Sequence, residues 1–472
     1  MNNRSYALDA LRGYAIITMV LSGTIVSGIM PGWMSHAQTP PPSHIFNPDI
    51  PGITWVDLVF PFFLFAMGAA FPFFVNKRIE KGETTLHLIW DAAKRYIQLT
   101  FFAIFIQHFY PWTLSNPQDP HAWLLALTCF ALLFPMFMRM PFKMPEWTHI
   151  AVKLGAYLIA FILLNTVTYA NDRKFDPHYS NIIILLLANM AFFGTAIYIF
   201  TRNNVLARLA VLPLIMGVFL GSKIEGSYTE AIFNFTPLGW MYKFTYLKYL
   251  FIVIPGSIAG EYIYRWMQER KKAEPHSIQK KENTTANILL LLTIGSIIVN
   301  LICLYNRWLT TNLLINIIVL IGGSVWLKLK KGSNINITLW QKLYIAGAYL
   351  ILLGLIFEPF EGGIKKDHST YSYYFVTAGL AFMAMLAFNI ICDYYRYLRG
   401  TAFLYMSGQN PMIAYVATSL FTMPVLNLLG IRSLLEVFWQ DPWMGFLHGV
   451  ILTGIAVLIT MFFTRIKWFW RT

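Results

Sequence analysis

The sequence predicts an all-α polytopic membrane protein of about fourteen transmembrane helices with both termini cytoplasmic. Three observations carry that prediction. Hydrophobic residues make up 57% of the chain and charged residues only 12%, about half the charge fraction of a soluble domain. Apolar stretches long enough to cross a bilayer recur along the whole length. The period-two alternation of an outer-membrane barrel is absent.

The first apolar run, 10–30, follows Arg4 and Arg12 and has no small-residue cleavage motif before Pro31 and Trp33. It reads as a retained helix rather than a signal peptide. The second, 53–75, opens after Gly52 with Thr54 as its cap residue. Runs at 93–111, 121–139, 149–170, 180–200 and 204–221 follow, the last being the shortest. An aromatic, Gly- and Pro-containing connection then leads into 246–267. The polar, lysine-rich stretch 268–285 reads as a cytoplasmic linker. It separates a membrane bundle at 1–267 from helices at 286–472 that pack in the same bundle. Those are expected at 286–305, 309–328, 340–358, 371–391, 402–424 and 441–463. The connection between 358 and 371 is again rich in Gly and aromatics, a composition suited to folding over a site.

With the N-terminus inside, most of the 36 Lys and Arg residues fall on cytoplasmic connections, as membrane topology requires. The net charge of +14 is thereby explained without nucleic acid. The three cysteines, Cys129, Cys303 and Cys392, each sit in an apolar run, which suggests neither a disulfide framework nor a metal site.

The candidate chemistry begins in the loop 31–57. It holds His36 and His44 among prolines and runs into a helix whose first turn contains Asp57. An ionisable group just inside an apolar segment is a functional-site hypothesis by default. A carboxylate beside an imidazole orients it for proton transfer. The plainer alternative is that Asp57 complements the helix dipole and His36 is a solvated loop residue. His44, between prolines and Asn47, reads more readily as structural.

At the other end of the first run lie Arg4, Asp9 and Arg12. Asp9 and Arg12 share a helix face and make an ion pair the simple reading; a guanidinium pair that meets phosphates is the functional one. Lys94 and Arg95 fall in the same class. Glu358, Glu361 and His368 form either a sugar-binding edge or a solvated turn. Asn410, in a Gly-x-Asn-Pro break, marks either a cavity or a packing contact. Gln107, His108, Asn165, Asn189, Asn389 and His448 are scattered polar residues. Phosphate-loop, dinucleotide, zinc-protease and serine-hydrolase motifs are absent.

RSYALDALRGYAIITMV, then Ser35-His36-Ala37, then GITWVDLVFPFFLFAMG resembles the heparan-α-glucosaminide N-acetyltransferase family, in particular its bacterial members. The resemblance is concentrated in roughly the first 80 residues. TPLGWMYKFTYLKYLFIVIPGSIAGEY and SGQNPMIAYV agree with it more weakly. The resemblance implies an acetyltransferase of the bacterial inner membrane. It would move an acetyl group from cytoplasmic acetyl-CoA to an amino sugar or other glycan on the periplasmic side, with no metal. It implies His36 as the catalytic histidine, Asp57 as its acid, and Arg12, with Arg4 beside it, on the CoA. A homodimer is compatible with it.

Three features depart from the family pattern. The chain carries an insertion, QTPPPSHIFNPDIP, that brings His44 forward as a rival base. It has Ser22-Gly23 where the family has an asparagine, and it has more spans than the family usually carries. The alternative reading from another functional class is a secondary transporter or a glycan or lipid flippase.

Overall fold

The computed structural model describes all residues except 1–3, 27, 139–144, 273–281, 331–333, 440 and 472. The chain folds as an all-helical, multi-pass membrane protein. Its long helices are α1 Tyr6–Thr24, α2 Trp55–Ile79, α3 Thr85–Phe109, α4 Pro120–Phe137, α5 Glu146–Thr166, α6 Ile182–Thr201, α7 Val205–Gly221 and α8 Leu250–Lys272. The second half adds α9 Asn283–Tyr305, α10 Leu309–Leu329, α11 Ile335–Phe360, α12 Tyr371–Tyr394, α13 Ala402–Gln409, α14 Pro411–Leu428 and α15 Pro442–Arg465.

Among the described residues, ten helices are long and apolar enough to cross a membrane: α2, α4, α5, α6, α9, α10, α11, α12, α14 and α15. Helices α1, α3, α7 and α8 coincide with the other four expected runs. They fall short because α7 is brief and the other three carry charged residues within their length. Two expectations shift in detail. The run 402–424 is split at Asn410 into α13 and α14, where Pro411 removes a backbone donor. The linker expected at 268–285 is narrower, because α8 continues to Lys272 and α9 begins at Asn283. Its residues 273–281 lie outside the described residues.

The two halves of the chain share one core. Helices α2 and α12 are its most buried spans. The tightest helix pairs are α11 with α12, α2 with α8, and α1 with α13. Small residues permit the last two. A Cβ on Gly68 would strike the Val253 carbonyl, and one on Gly256 or Gly260 would strike the α2 backbone at Phe65 or Ala69. A Cβ on Gly13 or Gly408 would likewise enter the opposing backbone of α13 or α1. Backbone-to-backbone approach of this kind is how helices associate where lipid tails remove the hydrophobic drive.

Candidate functional site

The site is assembled at the start of α2. Thr54 caps that helix in an extended conformation; its Oγ1 accepts from Val56 N–H at 3.2 Å and donates to the Ser35 carbonyl at 2.7 Å. Asp57, three residues on, completes a capping box by accepting from Thr54 N–H at 3.0 Å through Oδ2. The same oxygen accepts from Ala37 N–H at 3.2 Å. The other oxygen, Oδ1, lies 2.7 Å from His36 Nδ1. Asp57 therefore makes both sets of contacts, one oxygen meeting the start of the helix and the other the imidazole. Asp57 is 2% exposed, whereas the His36 side chain is 42% exposed. The carboxylate is thus the fixed partner and the ring faces open space. Asp57 meets the ring at Nδ1, so Nε2 is the ring nitrogen turned away from the carboxylate.

A third group enters from 330 residues away. Lys366 Nζ lies 3.1 Å from His36 Nδ1, 3.3 Å from Nε2 and 4.0 Å from Asp57 Oδ1. Nearly equal distances to both nitrogens place the ammonium between them rather than on the lone-pair axis of either. Lys366 belongs to the connection 361–370, which is pinned on several sides. Gly52 N–H donates to the Ile364 carbonyl at 2.7 Å, and Gln38 bonds Asp367. Ile364 N–H donates to Glu358 Oε1 at 3.2 Å, and Glu358 is ion-paired to Arg307. Glu361 accepts from Tyr371 and Ser372 N–H at 2.7 Å and caps α12. Glu358 and Glu361 thus shape the turn that carries Lys366.

His36 and Lys366 open into a cavity of about 840 Å³, a size suited to a small-molecule site. Its wall follows α1 from Met19 to Thr24, the next residues Ile25 and Val26, and α2 at Val56, Val59 and Phe60. Gln107, Asn181, Tyr415 and His448 contribute polar groups, so two scattered polar candidates, Gln107 and His448, meet at one place. Tyr110 and Trp112, also in the wall, are stacked with ring centroids 4.5 Å apart and planes at 18°. His44 is not part of this wall. It sits on the turn with φ 50, and its N–H donates to the Pro40 carbonyl at 3.0 Å.

At the opposite end of α1 a smaller cavity, of about 270 Å³, is lined by Arg4, Arg270, Lys271 and Arg396 beside Trp266 and Asp393. Asp393 accepts from Ser5 Oγ at 3.1 Å and from the Tyr6 and Ala7 N–H groups at 3.0 and 3.3 Å. It thereby serves the N-terminus of α1. Arg270 stacks on Trp266 and donates to the Asp393 carbonyl at 3.3 Å. The two cavities lie at the two ends of one helix of 19 residues, about 28 Å long.

The other sequence candidates fall as follows. Arg4 pairs with Asp9 and lines the basic cavity. Arg12 lies 3.7 Å from Asp9 and donates to the Gly408 carbonyl at 3.3 Å, in neither cavity wall. Lys94 binds Asp91 at 3.2 Å, on the surface. Arg95 is near enough to Arg12 for their charges to repel, and its Nε is buried with no hydrogen-bond partner among the described residues. Asn410 is a packing residue: it donates to the Trp468 carbonyl at 2.8 Å and accepts from Trp470 N–H at 3.2 Å.

Sequence reasoning missed Lys366, Arg270, Lys271 and Arg396. Arg270 and Lys271 fall within the stretch 268–285 that the sequence reads as linker, and the composition of its connection is the only hint for Lys366. A search among curated proteins finds no match. The sequence profile of one family, described as a domain of unknown function (DUF5009), matches residues 4–263. That is more than half of the chain, and it spans Arg4, Arg12, His36 and Asp57. The chain therefore belongs to the DUF5009 family.

Proposed function

We propose that this protein is a transmembrane acyltransferase that moves an acetyl group from cytoplasmic acetyl-CoA to an amino sugar or other glycan on the periplasmic face of a bacterial inner membrane. The observation that carries the reading is the pairing of two unlike cavities along α1. One is basic and suits the phosphates of CoA. The other holds an imidazole and its carboxylate. In this reading the chain crosses the bilayer fourteen times with both termini inside, which puts the basic cavity in the cytoplasm.

His36 takes the proton of the acceptor at Nε2 while Asp57 holds the ring and balances the charge it gains. Lys366 brings positive charge to the place where a carbonyl oxygen becomes an oxyanion. The stacked face of Tyr110 and Trp112 offers an apolar shelf for a pyranose ring. Arg4, Arg270, Lys271 and Arg396 hold the donor's phosphates. Pantetheine would run beside α1 between the two ends.

The break at Asn410 and the π-helical stretch Ala417–Thr422 favour a second reading, a transporter or flippase, because discontinuous helices mark transport sites. One experiment separates the two. The acyltransferase is expected to gain about 2.7 kcal/mol of stability at a CoA concentration 100 times Kd, and to transfer labelled acetyl in proteoliposomes. Wild-type transfer by His36→Ala would overturn the assignment of the base; no response to CoA or acetyl-CoA would favour transport.

A further inference from the structure

We propose that Lys366 is itself an acylation site, which the His36–Asp57 pair modifies when acyl donor is present and the cavity holds no acceptor. The inference rests on the acyltransferase reading above and adds a self-limiting property to it. A base acts on protons held about 2.6–3.2 Å from it; Lys366 Nζ lies 3.3 Å from His36 Nε2, off its lone-pair axis, so a rotation within the lysine side chain is enough to bring the amine into reach. The amine thus lies beside the position that an acceptor's amine would take. Its side chain is 22% exposed and lines the same cavity. Nor is it a wandering surface lysine. The residues on both sides are fixed, Lys365 by its N–H to Thr370 Oγ1 at 3.1 Å and Asp367 by Gln38 at 3.0 Å. Lys365, its neighbour in sequence, is absent from the cavity wall and provides an internal comparison.

The step balances with an acyl thioester as co-reactant. The Lys366 ammonium loses one proton to water and a second to His36. Its lone pair attacks the thioester carbonyl, an N–C bond forms, and the C–S bond breaks. The thiolate leaves and takes the proton held by His36. The product is an amide, which is far less reactive than a thioester, so the acyl group stays on Lys366. Acylation removes the positive charge beside His36 and puts an acetylated side chain where the acceptor would sit. Excess donor without acceptor therefore switches the site off.

The test uses the full-length protein in nanodiscs, incubated with isotope-labelled acetyl-CoA alone, followed by peptide mass spectrometry. A parallel sample contains glucosamine as acceptor. The expected result is label on Lys366 about 10²-fold above that on Lys365, loss of that label in His36→Ala, and suppression by glucosamine. Lys366→Arg, which keeps the charge but offers no amine to acylate, is expected to carry no label at position 366 and, from whatever lower rate of transfer it starts, to lose no further activity during exposure to donor; this variant keeps the test valid should His36→Ala fold poorly. Equal labelling of Lys365 and Lys366, or labelling that persists in well-folded His36→Ala, overturns the inference. Label on glucosamine with none on Lys366 overturns it while leaving the acyltransferase reading intact. No label anywhere and no binding of acetyl-CoA overturns both.

Discussion

Gln38 and Asp367 grip each other twice, the Gln38 amide donating to the Asp367 carbonyl at 3.0 Å and accepting from Asp367 N–H at 3.0 Å. The same amide also donates to the Pro48 carbonyl at 2.8 Å. Gln38 is 2% exposed, so these bonds are made away from bulk water. The inserted segment that begins at Gln38 therefore helps to fasten the turn carrying Lys366 over His36, together with the Gly52 bond to Ile364. Gln38→Ala leaves buried backbone groups unpaired, at a cost of about 1–3 kcal/mol. A lower melting temperature and reduced acetyl transfer are expected; an unchanged melting temperature would show that the clasp is not formed.

Asp57→Asn keeps the shape of the side chain and removes its charge from His36. Acetyl transfer is expected to fall by about 10²–10⁴-fold, the range for loss of a positioned acid or base. Asp57→Ala also removes the acceptor for Thr54 N–H in the capping box and should cost about 1 kcal/mol more in stability. Rate measurements and thermal melts on both variants separate the oxygen that serves the ring from the oxygen that serves the helix.

Arg270→Gln and Arg396→Gln each remove a cation from the basic cavity. A charged hydrogen bond contributes about 1.5–3 kcal/mol, so CoA affinity is expected to weaken about tenfold or more in each variant. Titration calorimetry at two salt concentrations checks this, and the salt dependence should shrink as well. Arg12→Gln is expected to act chiefly through stability, because its guanidinium meets Gly408 and Asp9 rather than either cavity. CoA affinity that fell with Arg12 and not with Arg270 would move the donor's phosphates deeper into the bundle.

Gly256→Val places side-chain atoms where the α2 backbone at Phe65 already lies. Overpacking of this kind costs typically about 1–3 kcal/mol, and more is expected here because the obstruction is backbone. Gly155→Ala, on the exposed face of α5 with nothing within 4 Å of an added Cβ, should be neutral or stabilising by up to about 1 kcal/mol. Thermal melts in detergent distinguish them.

The helices were largely legible in the sequence because bilayer thickness imposes a length on each apolar run, and the expected runs each found a helix. The His36–Asp57 pair was legible only as one of two readings: the local cap pattern of Thr54 and Asp57 placed the acid, and the family resemblance, not the loop itself, singled out His36 over His44. Lys366 was not legible, since its contact with His36 is set by the Gln38 and Gly52 bonds to a turn more than 300 residues on, and no local pattern encodes such a meeting. Arg270 and Lys271 were hidden for a different reason. They continue α8 beyond its apolar stretch, and hydropathy alone ends the helix too early. Arg12 shows the converse case, a residue expected at the donor whose partner, the Gly408 carbonyl, is exposed by the close crossing of α1 and α13.

The crossing of α1 with α13, which joins the first half of the chain to the second, has a consequence for how the chain could be divided. His36 comes from the first half while Lys366 and His448 come from the second; the basic cavity likewise combines Arg4 and Arg270 with Arg396. A polypeptide severed after Lys272 would yield two pieces, each holding only part of both chambers. Made separately in one bilayer, they would recover function only by finding each other. The protein would then serve as its own complementation reporter, with restored chemistry reading out reassembly of the halves.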